Sequence, residues 1–267
     1  MTGRGGDRPT QEFVVGVCRD AGRMALKRFG EKLEVSLKGE VDLVTDVDLV
    51  LDELIRKAIA DRFPGHTVVT EEGWGEDAPV PSGYVWLVDP LDGTTNYVHG
   101  YPAFCVSVAL AYGDEVLTGC VYDPLREEVF YGEKGSGAML NGRAISVSAT
   151  DSLISSLLST GFPYERASLA ENNVSHLGRI LNYIQGVRRS GSLALDLAYV
   201  ACGRLDGHWE LSVKPWDTAA GGLLIMEAGG RISNMRGGRW TPFGRDVLAT
   251  NGRIHDQLLA ALGQGLD

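Results

Sequence analysis

Apolar residues recur at Phe13, Val14, Val17, Cys18, Ala21, Met24 and Ala25, with polar residues between them. That three-and-four spacing predicts a helix over 11–29, with Thr10 placed to cap it. A second stripe, Leu51, Leu54, Ile55, Ala58 and Ile59, predicts a helix over 48–63 that stops at Pro64-Gly65. The stretch between them, LEVSLKGEVDLVTDVD, reads as a strand and a loop. His66–Thr70 and Tyr84–Val88 are apolar runs of strand length, divided by a polar loop rich in Gly and Pro. Three further strand-like stretches follow, over 103–112, 115–122 and 128–132, joined by Gly113-Asp114 and Asp123-Pro124. Leu140-Asn141-Gly142-Arg143 adds another hairpin signal.

The second half changes rhythm. Strand patterns at 156–160, 186–190, 208–211, 230–233 and 246–250 alternate with helical ones at 173–184, 192–202, 216–228 and 256–262. The expected organisation is a flexible leader over 1–10, an α+β half over 11–148 and an α/β half over 149–267. No internal repeat is present.

Composition narrows the classes. Of 267 residues, 44% are hydrophobic and 22% charged, which is ordinary for a globular enzyme-sized chain. No apolar run is long enough for a membrane span. The polar, Gly- and Arg-rich start has no apolar signal-peptide core, so a cytoplasmic location is expected. A net charge of −10 disfavours nucleic acid as a general partner. It does not exclude a small phosphorylated substrate bridged by cations. Cys18, Cys105, Cys120 and Cys202 lie far apart among apolar residues and read as reduced core thiols. The five histidines show no metal spacing.

The acidic residues carry the chemical signal. Asp42 and Asp46 precede a helix. Glu71 and Glu72 end one strand, Asp89 and Asp92 end another within VDPLDGTTN, and Asp217 follows Trp216 at a helix start. Taken singly, each has a plain structural use as a turn residue, an N-cap or a solvated strand end. Two converging carboxylates repel each other, however, and a hard divalent ion such as Mg²⁺ removes the conflict with oxygen ligands. The Leu91 carbonyl lies between the two aspartates. Gly93 lets backbone approach an anion closely, and N–H groups at a helix start favour one. Jointly, the clusters point to a multi-metal site for phosphoryl transfer, on loops held by rigid elements.

The stretches GEVDLVTDVD, TEEG, WLVDPLDGTTNYVHGYP, RRSGSLALDLAYVACGRLDGHWE and KPWDTAAGGLLIMEAGG resemble those of the inositol monophosphatases, in the same order along the chain. The resemblance implies a layered αβαβα sandwich and a Mg²⁺-dependent, lithium-sensitive phosphomonoesterase using two to three ions. It implies Glu71, Asp89, Leu91, Asp92 and Asp217 as metal ligands, with Glu71 also catalytic. Thr94 and Asp46 would orient the attacking water. Gly93 and Thr94 would bind phosphate, Gly191, Ser192 and Glu210 would contact the substrate ring, and Lys38 would sit on a mobile loop. A homodimer and a small phosphorylated polyol substrate are implied as well. Competing expectations are fructose 1,6-bisphosphate, histidinol phosphate or a nucleotide phosphate as substrate. Another is a non-catalytic regulatory module, for which Arg188-Arg189 would offer a partner surface.

Overall fold

The computed structural model describes residues 8–37, 43–75, 79–163 and 172–264. Lys38 and Asp42 lie outside the described residues. Helix α1 (Gln11–Arg28) starts where expected, with the Thr10 hydroxyl accepting from Phe13 N. A short hairpin, β1 (Val35–Leu37) and β2 (Leu43–Thr45), leads into α2 (Asp46–Arg62). Thr45 and Asp48 form a reciprocal capping box there, which starts the helix two residues before its apolar stripe suggests.

Strands β3 (Thr67–Thr70), β4 (Tyr84–Asp92), β5 (Cys105–Tyr112), β6 (Glu115–Asp123), β7 (Glu128–Glu133), β8 (Gly137–Leu140) and β9 (Arg143–Ala144) form a seven-stranded sheet in chain order. The β3–β4 pair is parallel and the rest is an antiparallel meander. The short helix α3 (Thr94–Val98) interrupts the run after β4. A five-stranded sheet in the second half has the order β11 (Gly186–Arg188), β10 (Leu157–Thr160), β12 (Gly207–Leu211), β14 (Asp246–Thr250), β13 (Arg231–Ser233). Its first three strands are parallel and its last two pair antiparallel, so the second half is a mixed sheet. The helices of this half are α4 (Asn173–Ile180), α5 (Leu193–Ala201), α6 (Pro215–Glu227) and α7 (His255–Gln264).

Burial stacks these elements into five layers. Val14, Cys18, Leu51 and Ile55 of α1 and α2 cover one face of the large sheet, against Trp86, Val88 and Val108. The other face, with Val85, Leu87 and Ala109, packs on Ala198, Ala220 and Leu224 of α5 and α6. Those helices also touch Val247 and Ala249 of the small sheet. The far face of that sheet, Leu158, Trp209 and Leu248, is covered by Ile180 of α4 and Leu258 of α7. The result is the expected αβαβα sandwich. Trp86 is fully buried, donates its indole N–H to His66 Nδ1 at 3.1 Å and packs edge-on against Phe13. Truncating a buried ring of this size to alanine costs on the order of 3–5 kcal/mol.

One element departs from expectation in a way that bears on the site. Strand β4 does not end at Val88 but runs on through Asp92. Asp89 pairs with Ser107 and Asp92 with Cys105, so three steps on β4 face two on β5. A bulge absorbs the extra residue and accommodates Pro90, which has no N–H to give a ladder. Asp89 and Asp92 are therefore held in a buried strand rather than on a loop.

Candidate active site

The carboxylates converge where β4, α5 and α6 meet. Asp89 is buried, and its Oδ1 accepts the Leu91 N–H at 3.0 Å. Asp92 Oδ2 accepts from Ser192 Oγ at 2.6 Å, from Ala194 N at 2.8 Å and weakly from Cys105 Sγ at 3.5 Å. The first turn of α5 is thereby anchored on β4. Asp217 Oδ2 caps its own helix by accepting Lys214 N–H at 2.8 Å. Glu71 follows β3 directly, its N–H bonded to the Val88 carbonyl at 3.2 Å, which places it beside Asp89.

Like charges crowd this corner. Burial pushes the Asp89 carboxyl well above its usual range, and Glu71, Asp92 and Asp217 push it the same way. Burial raises Asp217 strongly, with Asp92 adding to the rise and the Lys214 N–H opposing it. Asp92 is raised by burial too, against the hydrogen bonds from Ser192 and Ala194. Four acids in one place favour protonation unless a cation joins them. In Asp89, Asp92 and Asp217 the hydrogen bonds described fall on a single oxygen, so each carboxylate has a second oxygen to offer. Hard oxygen donors of this kind are the type that a divalent cation takes. Among the described residues, no three His, Cys, Asp or Glu side chains are drawn together as a closed metal cluster.

The expected partner of Thr94 needs correction. Thr94 Oγ donates to Asp48 Oδ1 at 2.9 Å and also lies 3.1 Å from the Leu91 carbonyl. Asp46 is turned away: its carboxylate takes Arg28 Nη2 at 3.0 Å and Glu34 N at 3.2 Å. Helix phase is the reason. Asp46 is the first residue of α2 and faces α1, whereas Asp48 is third, where a capping side chain folds back. Asp48 is buried, and Thr45 N donates to its second oxygen at 2.9 Å. The Thr45-x-x-Asp48 spacing was the sequence signal for this residue.

Gly93 joins β4 to α3 at φ +100, where a Cβ would lie 2.9 Å from the Ala103 carbonyl. Only glycine fits that turn without strain. Asn96, also missed from sequence, donates to the carbonyls of Ala103 at 2.7 Å and Ser190 at 2.8 Å, tying α3 to the loop before α5. Gly191 lies in that loop at φ +86, against Asn96 and Arg189. Ser192, expected as a ring contact, is buried and its hydroxyl donates to Asp92. Glu210 is part-buried on β12, its carboxylate over Gly161. Lys38 has no described position.

The sequence model of the inositol monophosphatase family matches residues 7–266. The chain belongs to the inositol monophosphatase family. It is 44% identical over 250 residues to an inositol-1-monophosphatase of Synechocystis, covering 91% of this chain and 84% of that one. It is 39% identical to the Nus factor SuhB of Escherichia coli over 254 residues, 94% of this chain and 95% of that one. The solved inositol monophosphatase of Anabaena superposes with a TM-score of 0.84 at 39% identity, covering 96% of this chain and 95% of that one. This inositol monophosphatase family member is thus a phosphoric monoester hydrolase by descent, from a family that is generally metal-dependent. None of its described helices is long and apolar enough to cross a membrane.

Proposed function

We propose that the protein hydrolyses a small phosphorylated polyol, inositol monophosphate in the first instance, by direct attack of water with Mg²⁺ as the required cation. The observation that carries this reading is the set of mutually repelling carboxylates, buried Asp89 and Asp92 with half-buried Asp217 and Glu71, beside the Asp48–Thr94 pair. Glu71, Asp89 and the Leu91 carbonyl would hold one ion, Asp89, Asp92 and Asp217 a second, and Glu71 a looser third. When bound, such ions supply Lewis acidity, which acidifies water and neutralises charge on the phosphoryl group and leaving oxygen.

The chain's own residues do the rest. Asp48, itself fixed by Thr45, takes the only hydroxyl proton of Thr94. The Thr94 oxygen is then left as an acceptor, so it draws in one proton of a water and turns the water's lone pair outward. Glu71 stands beside that position as a second acceptor. The backbone at Gly93 and Thr94 faces the phosphoryl oxygens. Glu210 accepts hydrogen bonds from substrate hydroxyls, which selects a polyol. A homodimer, lithium inhibition and a cytoplasmic location belong to the same proposal.

The test is a panel of phosphate esters assayed for phosphate release with purified protein and Mg²⁺. Inositol monophosphate is expected to give the highest kcat/KM. Preference for fructose 1,6-bisphosphate, histidinol phosphate or a nucleotide phosphate would replace it as the substrate. The relative named Nus factor SuhB favours a second, regulatory reading. Absence of turnover on every ester would support that reading.

A further inference from the structure

A histidine stands behind the carboxylate that faces the substrate. His208 and Glu210 are two apart on β12, so both side chains leave the same face of the sheet. The His208 ring is fully buried. Its Nδ1 lies 2.9 Å from Ser159 Oγ on β10 and 3.9 Å from Asp196 Oδ2 on α5. Its Nε2 lies 3.2 Å from Glu210 Oε2, yet off the line of a hydrogen bond, and has no other partner among the described residues. On the remaining side, β14 sets uncharged Ala249 opposite His208. A buried ring nitrogen without a bond is costly, and a small turn of the Glu210 carboxylate supplies one.

Two features limit where that carboxylate can go. Gly161 lies directly under it, and a Cβ there would overlap its atoms. Asp196, the rival acid, is held up to about 7 by burial, with His208 pulling the other way. Near neutral pH it therefore competes only in part for the ring. Asp196 also belongs to α5, whose first turn is bonded to Asp92. The ring thus links the substrate-facing carboxylate to the helix that braces the metal-binding acids.

We infer that His208 is a positioning residue that sets selectivity: its Nε2–H aligns the Glu210 carboxylate for the ring hydroxyls of a polyol phosphate, while the Ser159 hydroxyl holds the imidazole from behind. The inference rests on the polyol-phosphatase reading. With Nε2 as donor, Nδ1 is the acceptor and the Ser159 hydroxyl donates to it. Serine and histidine are then satisfied in one tautomer.

The experiment compares His208→Phe, His208→Gln and His208→Asn, alone and combined with Glu210→Gln, in the full chain with Mg²⁺. The quantity read is the kcat/KM for inositol monophosphate divided by that for a simple aryl phosphate, which lacks the hydroxyls. Glutamine reaches as far as Nε2 and asparagine only as far as Nδ1. The ratio should fall about tenfold in His208→Phe and His208→Asn, the size of a hydrogen bond to a charged group. His208→Gln should stay within about threefold of wild type. In the Glu210→Gln background the histidine changes should lower the ratio no further. If His208→Phe does not fold, the Gln and Asn variants carry the test alone. Equal ratios for those two, or a full drop persisting without the Glu210 carboxylate, would overturn the inference. A ratio that falls in Glu210→Gln but not with any histidine change would overturn the inference and spare the substrate reading. A ratio unmoved by Glu210→Gln would remove the polyol contact, and the inference with it.

Discussion

Asp46 and Asp48 are two positions apart and chemically alike, yet the fold gives them different work. Asp48 accepts from Thr94, whereas Asp46 pairs with Arg28 at the surface. Asp48→Asn should lower kcat by about a hundredfold, because the amide is a weaker acceptor and Thr94 is no longer held in one orientation. Asp46→Asn should change kcat by less than about threefold and stability by less than about 1 kcal/mol, the range for an exposed ion pair. Steady-state kinetics of both variants check the assignment, and a reversed order would restore Asp46. The DPLDGTT acids and Asp217 were legible because each sits in a short, distinctive run. The Thr94 partner was not, since it lies 46 residues away and depends on the phase of α2. The bond from Ser192 to Asp92 was not legible for a similar reason, since it spans 100 residues.

Strand β4 and helix α5 form one unit through Asp92, which carries the charge of the site and the anchor of the helix together. Asp92→Asn keeps an oxygen for Ser192 and Ala194 but removes one of the repelling charges. In metal-free protein the melting temperature should hold or rise, since Asp89 and Asp217 lose a like-charged neighbour. The kcat should nevertheless fall by about a hundredfold or more, and the rise in melting temperature on adding Mg²⁺ should shrink. Thermal melts with and without Mg²⁺ read both effects, and a large loss of metal-free stability would mean that Asp92 is chiefly structural. Most elements were legible from apolar spacing, such as α1 and the β5–β7 meander. The continuation of β4 past Pro90 was not, because a bulge is decided by the partner strand's register and leaves no local pattern.

The layered sandwich brings distant histidines into its core, and one of them ties stability to pH. His255 is fully buried between Ser233 Oγ at 2.9 Å and Thr250 Oγ1 at 3.0 Å. Burial, with Arg231 nearby, lowers it to about 4. Between that value and the ordinary 6.5, the unfolded chain binds the proton and the folded one does not. Stability is therefore complete above about pH 6.5 and is lost as pH falls toward 4, by on the order of 2–3 kcal/mol. Urea unfolding from pH 7 to pH 5 should show that slope, and His255→Gln should flatten it. An unchanged slope in the variant would assign it to other groups. At this scale too, phosphate chemistry in the acidic cluster is expected only with cations present. Phosphate release from inositol monophosphate, followed first in EDTA and then after excess Mg²⁺ is added, puts it to the test. Turnover should be abolished by the chelator and restored by the ion, and full turnover in EDTA would contradict the account.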